Sequence, residues 1–157
     1  MKDVLDRLAA DGFEVAVSAA GDNELVLRIA RERVVEIARW CKNQGFSLFT
    51  DLTCADYGAQ KREPRFDIVL ILYSIARKAY VRLLVGVPEN DPHMASLTTV
   101  FKGANWPERE VFDLYGIIFD GHPDLVRILL PDDYEGHPLR RDFPITGLVP
   151  PIPLARE

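Results

Sequence analysis

Apolar positions change their period several times along the chain, and each change marks an element. From Asp3 to Ala10 they recur at helical spacing. Val4, Leu5, Leu8 and Ala9 share a face, and Asp11-Gly12 closes the segment. The period then drops to two. Phe13, Val15 and Val17 alternate with polar neighbours, Ala20-Gly21-Asp22-Asn23 reads as a turn, and Leu25, Leu27 and Ile29 alternate again, which predicts a hairpin. Helical spacing returns from Glu32 to Lys42, with Val34, Ile37, Ala38 and Cys41 as its stripe and Asn43-Gln44-Gly45 as its stop. Three more strands are predicted, near 46–54, 65–74 and 79–87. The last two are apolar at successive positions, so they belong in the middle of a sheet, joined by a tight turn at Arg77-Lys78.

A loop follows at Pro88–Pro92, then a short predicted helix at Ser96–Phe101. Another helix is predicted from Trp106-Pro107, because proline fits a first turn and Glu108 and Glu110 suit the positive helix end. Arg109 and Asp113 stand one turn apart and can pair, and Gly116 is a natural stop. The order α-β-β-α-β-β-β predicts an α+β fold: a two-layer sandwich, helices on one face of a mixed, mostly antiparallel sheet.

Beyond Gly121 the pattern changes character. Seven of the eleven prolines lie from Pro123 to Pro153. Each removes a backbone donor and disfavours helix at the residue before it, so neither a long helix nor a central strand is predicted there. Yet Leu125, Ile128, Leu129, Leu130, Tyr134, Leu139, Phe143, Ile145 and Leu148 are more apolar surface than a disordered linker carries. Extended, residues 127–157 would reach on the order of 100 Å, further than a domain of this size is wide. The division predicted is a domain over 1–120 and an extended docking tail over 121–157, part of which leaves the domain for a partner. Its main contact segment is placed at Pro131–Pro151, with Tyr134, Leu139, Phe143 and Leu148 as anchors that have no evident partner within the chain.

Composition narrows the chemistry. The balance of apolar and charged residues is that of an ordinary globular domain, and no stretch approaches ~20 uninterrupted apolar residues, so no membrane span is expected. The acidic start without an apolar core argues against secretion. A net charge of −5 argues against a nucleic-acid surface. Two cysteines, Cys41 and Cys54, are too few for an iron–sulfur cluster. Gly116, Gly121 and Gly136 are too far apart for a dinucleotide loop, so NAD is not expected to bind here. His122 and His137, among aspartates, could be read as a metal site of a hydrolase. Their repeated Gly-His-Pro setting favours turns in which the imidazole bonds nearby backbone. Glu108 and Glu110, two apart on a helix, point to different faces and do not make a carboxylate pair. Arg127, Arg140 and Arg141 alternate with Asp132, Asp133, Glu135 and Asp142. Arginine's fork geometry favours interface use for them.

The stretch Ala104-Asn105-Trp106-Pro107-Glu108-Arg109-Glu110-Val111-Phe112-Asp113-Leu114-Tyr115-Gly116-Ile117 resembles the signature of the 30 kDa subunit family of complex I-type NADH:quinone oxidoreductases. The likeness continues through Phe119, Gly121-His122-Pro123-Asp124-Leu125 and Arg127-Ile128-Leu129, then from Pro131 to Pro144. Asp51-Leu52-Thr53 and Asp56-Tyr57 resemble the family's third strand. Phe101 and Tyr134 stand where the family more often has tryptophan, and both keep an aromatic. The resemblance implies a non-catalytic peripheral-arm subunit of a proton-pumping assembly that passes electrons from NADH to quinone. Flavin, iron–sulfur clusters and the quinone site would belong to neighbours, with no cofactor in this chain. The implied partners are the hydrogenase-like quinone-site subunit and other peripheral-arm subunits. The implied place is the cytoplasmic or matrix side of the membrane, reached only through the complex. The contact residues expected are Glu108, Arg109, Glu110, Asp113, Arg127, Tyr134, Leu139, Arg140, Arg141 and Phe143. The equivalent subunit of a membrane-bound hydrogenase or formate hydrogenlyase is the alternative within the family.

Overall fold

The structure, a computed structural model, describes residues 2–13, 15–21 and 23–147. In chain order the elements are α1 (Lys2–Ala10), β1 (Ala16–Ala20), β2 (Glu24–Ile29), α2 (Val34–Asn43), β3 (Leu48–Asp56), β4 (Phe66–Ser74), β5 (Ala79–Val87), β6 (His93–Ala95), α3 (Asn105–Tyr115) and β7 (Ile118–Asp120). Five strands form one sheet in the order β1-β2-β5-β4-β3, antiparallel except for the parallel β2–β5 pair. The α+β sandwich is therefore what forms, with β4 and β5 inside the sheet as their continuous apolar runs require.

Register decides which residues make the core. Leu52–Leu70–Leu83–Leu27 and Cys54–Ile68–Val85–Ile29 line up across four strands. These side chains are buried together with Val4 and Leu8 of α1 and Val34, Ile37, Ala38 and Cys41 of α2. The opposite face, with Val69, Ile71, Tyr73 and Leu84, is only partly covered, which explains why β4 alternates between buried and intermediate positions.

Helix ends explain where the sequence reading misplaced strands. At α1, Gly12 takes φ 77°, its N–H bonds the Ala9 carbonyl, and the Phe13 N–H bonds the Leu8 carbonyl. At α2, Gly45 takes φ 95°, with Gly45 N–H to Lys42 and Phe46 N–H to Cys41. Both are left-handed closures in which the residue after glycine drops onto the helix it ends. Phe13 and Phe46 are thus buried plugs, not strand residues, and the strands start later, at Ala16 and Leu48. The Phe13 ring rests against Trp40, with centroids 5.9 Å apart.

The helix expected at Ser96–Phe101 is absent. That stretch is a hydrogen-bonded turn, with Val100 and Phe101 N–H both on the Leu97 carbonyl, followed by a single 3-10 turn at Lys102–Ala104 that leads into α3. Its start is held by a side chain of α3, Glu108, which a local reading does not see. The parallel pair β6–β7 was also not foreseen. Strands of three residues are too short to show a period.

Candidate functional site

The helix α3 and the chain that follows it form one unit. Two acids of α3, Glu108 and Asp113, have no exposed surface. Glu108 does not act as a free charge at the helix end. Its Oε1 accepts the Leu97 N–H at 2.6 Å and its Oε2 accepts the Ser96 hydroxyl at 2.7 Å. Burial pushes its carboxyl up to about 7, and those two bonds only partly oppose the rise. Asp113 does not pair with Arg109. Its Oδ2 accepts the N–H groups of Ile128, Leu129 and Leu130 at 2.8–3.1 Å, and its Oδ1 accepts from Arg127 at 2.7 Å. Burial raises its pKa, but three amides and a guanidinium outweigh that and hold it below the usual carboxylate range. The expectation that Glu108 and Asp113 face a partner is thereby corrected: both are internal anchors.

From Pro131 to Gly147 the chain is a run of turns and not the extended tail expected, and from His137 to Asp142 it is bonded as a strap to its own domain. His137 contributes Nδ1, 2.9 Å from the Asp113 carbonyl. Arg140 donates Nε–H to the Tyr115 carbonyl at 2.6 Å and covers the Phe66 ring. Tyr134 and Phe143 stack on one another at 6.4 Å, so these two anchors have partners within the chain. Leu148 to Pro151 of the expected contact segment lie outside the described residues. Gly116 is needed where strap and helix meet. Its φ is 74°, and a Cβ there would lie 2.5 Å from His137 Nε2. Of the two imidazoles expected to bond nearby backbone, His122 does so, accepting the Asp124 N–H with its Nε2 3.1 Å from the Asn105 carbonyl, whereas His137 reaches the Asp113 carbonyl 24 residues back.

A second anchor was not foreseen. Arg65, at the entrance to β4, is almost fully buried. It grips Asp56 with two bonds of 2.8 and 2.9 Å, Asp142 of the strap with two of 2.7 and 3.1 Å, and also Glu89. Asp56 further accepts the N–H groups of Gly58 and Arg141. Burial raises the Asp56 pKa, yet Arg65 and the two amides prevail and bring it to about 2. The only local signal for Arg65 was a cation set directly before an apolar run.

What remains outward includes apolar side chains beside exposed acids such as Asp124, Asp132, Asp133 and Glu135. Five of the nine large exposed apolar side chains among the described residues belong to α3 and the chain after it: Trp106, Val126, Leu129, Leu139 and Ile145. Arg109 stacks on Trp106 at 5.0 Å and donates to the Val126 and Arg127 carbonyls. Glu110 is exposed beside them. Between the end of β3 and the strap runs an open cleft of about 1210 Å³, lined by Tyr57, Tyr115, Tyr134, Leu139, Arg141 and Ile145 among others. No group of three or more His, Cys, Asp or Glu able to hold a metal occurs among the described residues. Both cysteines are buried thiols whose pKa burial raises, Cys41 to about 12, so neither is poised as a nucleophile.

Residues 27–149 match the family of the respiratory-chain NADH dehydrogenase 30 kDa subunit. A subunit of the NADH-quinone oxidoreductase of Geobacter sulfurreducens is 49% identical over 125 residues, which cover 79% of this chain and 76% of that protein. The subunit of the same name from Roseiflexus sp. is 44% identical over 146 residues, 90% of this chain and 83% of its own length. Among solved structures, the trypsin-resistant fragment (1–134) of Nqo5 is 34% identical with a TM-score of 0.68, and the match covers 79% of this chain and 98% of that one. A chain of the membrane-bound sulfane sulfur reductase, an archaeal respiratory membrane complex, superposes with a TM-score of 0.81 over 92% of this chain and 85% of its own. At 19% identity this is a likeness of fold.

Proposed function

The chain belongs to the 30 kDa subunit family of respiratory-chain NADH dehydrogenases, and from that premise we propose that it is a non-catalytic peripheral-arm subunit of a complex I-type NADH:quinone oxidoreductase. It packs against the hydrogenase-like quinone-site subunit and other peripheral-arm subunits, on the cytoplasmic side of the membrane. Electron transfer to quinone and proton translocation are properties of the assembly. Flavin and iron–sulfur clusters are carried by neighbours, and this chain holds none. No helix among the described residues is long and apolar enough to cross a membrane, in keeping with attachment through partners.

The observation that carries this reading is the concentration of exposed apolar side chains on α3 and the chain after it. An aromatic with an arginine stacked on it, Trp106 with Arg109, is the kind of group that anchors an interface. The neighbouring carboxylates Glu108 and Asp113 are consumed internally, so they are unavailable for proton transfer with a substrate. The likeness of fold to the archaeal sulfane sulfur reductase chain keeps a second reading open: the equivalent subunit of a related membrane-bound complex, such as a hydrogenase or formate hydrogenlyase.

Affinity purification of the tagged full chain from native membranes tests both. Co-purification with a hydrogenase-like subunit and flavin- and NADH-binding subunits, with NADH:quinone activity, is the expected result. A nickel–iron hydrogenase in their place selects the second reading. A purified chain carrying its own stoichiometric metal or flavin overturns both.

A further inference from the structure

We propose that the cleft between the end of β3 and the strap is a docking groove for an extended segment of another subunit, a segment that carries acidic and apolar side chains. The proposal rests on the subunit reading above and names what one particular part of this chain's surface receives.

The form of the cleft speaks for a peptide. One wall is the strap, a run of turns from Pro131 to Gly147. The other includes Cys54 to Asp56, the end of the sheet's terminal strand. A terminal strand offers backbone groups to an added strand, and aromatic walls suit an extended, proline-bearing chain. The volume, about 1210 Å³, exceeds the ~300–1,000 Å³ of ordinary small-molecule pockets.

Charge states what the peptide carries. Asp56 is taken up by Arg65 and two backbone amides. Arg140 is committed to the Tyr115 carbonyl. Arg141 is tied only through its backbone N–H, and no carboxylate pairs with its guanidinium among the described residues. Of the described residues that line the cleft, the one with an uncommitted charge is thus positive, in a chain whose net charge is −5. Beside it, Ile145 is fully exposed and Leu139 half exposed, while Tyr134 and Phe143 stack behind them. A carboxylate for Arg141 and apolar side chains for Leu139 and Ile145 complete the groove.

The test places a photo-crosslinking benzoylphenylalanine at position 145, and in a control at the exposed position 75, in the full tagged chain. Crosslinking is carried out in native membranes and the linked peptides are sequenced. The expected product from position 145, and not from position 75, is a segment of another subunit that contains acidic and apolar residues. Arg141→Glu and Ile145→Asp, both at exposed side chains, should each lower recovery of that subunit roughly tenfold, with Ile75→Asp without effect. Linkage of position 145 to this chain's own C-terminal residues, to a second copy, or to nothing within an intact assembly overturns the docking proposal alone. A chain that enters no assembly overturns the subunit reading, and the docking proposal with it.

Discussion

At the scale of single residues, the two buried acids of α3 behave oppositely. Asp113 has enough donors to be held ionised, whereas Glu108 has a hydroxyl, one amide and no cation. With its folded pKa raised from about 4.5 to about 7, Glu108 binds its proton more tightly in the folded state. Its stabilising contribution is full below pH 4.5 and is lost as the pH rises to about 7, a change on the order of 3 kcal/mol. His137, whose pKa burial lowers, gives the opposite slope as its unfolded form titrates. Comparing the chain with Glu108→Gln cancels that term. The amide can accept from Leu97 and donate to Ser96, so the variant should be more stable near pH 8 and lack the Glu108 slope in denaturant titrations across pH 4–8. An unchanged slope would remove Glu108 as its cause. Asp113→Asn should lower stability at neutral pH by about 2–4 kcal/mol, because amides and a guanidinium lose their common acceptor; chemical denaturation measures it.

At the scale of elements, turn chemistry sets where helices stop and what lies on them. The Gly-Phe pairs after α1 and α2 each convert an apparent strand residue into a helix plug. Gly116 does a related task for α3, with its N–H on the Phe112 carbonyl. There the strap lies so close that a side chain meets His137 as well as backbone strain. Gly116→Ala is therefore expected to cost more than the ~1 kcal/mol of a left-handed alanine alone. A chain ending at Leu130 should melt lower than the full chain, since Arg65 loses Asp142 and the Tyr115 and Asp113 carbonyls lose Arg140 and His137. Equal melting midpoints by circular dichroism would show that the strap adds nothing to the domain.

For the whole molecule, Arg65 joins parts of the chain far apart in sequence: Asp56 of β3, Glu89 after β5 and Asp142 of the strap. Breaking a buried pair leaves the other charge without compensation, typically about 3–5 kcal/mol. Arg65→Met should cost in that range, and adding Asp56→Asn should recover part of it, measured as a coupling free energy in denaturant unfolding. If the two substitutions were simply additive, Asp56 would not depend on Arg65. In the assembly, loss of Arg65 should also loosen the strap and lower recovery of partner subunits, because two of the outward apolar residues, Leu139 and Ile145, ride on it.

The hydrophobic period was sufficient for the class of fold and for the placing of β4 and β5, since burial on a sheet or helix face repeats with the local backbone geometry. The motif from Ala104 to Pro144 carried the family. The prolines excluded a long helix, but between Pro131 and Gly147 the chain is a run of turns and not the extended tail expected. Local pattern did not reach the pairing of charges. Asp113 with the amides after Arg127, Glu108 with Leu97, and Arg65 with Asp142 join positions 11 to 77 residues apart. Which acid is buried, and so which is anchor and which is surface, is decided only when the folded chain has removed water from one of them. The same holds for the strap: apolar spacing shows that it must lie against something, and only tertiary contact shows that the first thing it lies against is its own domain.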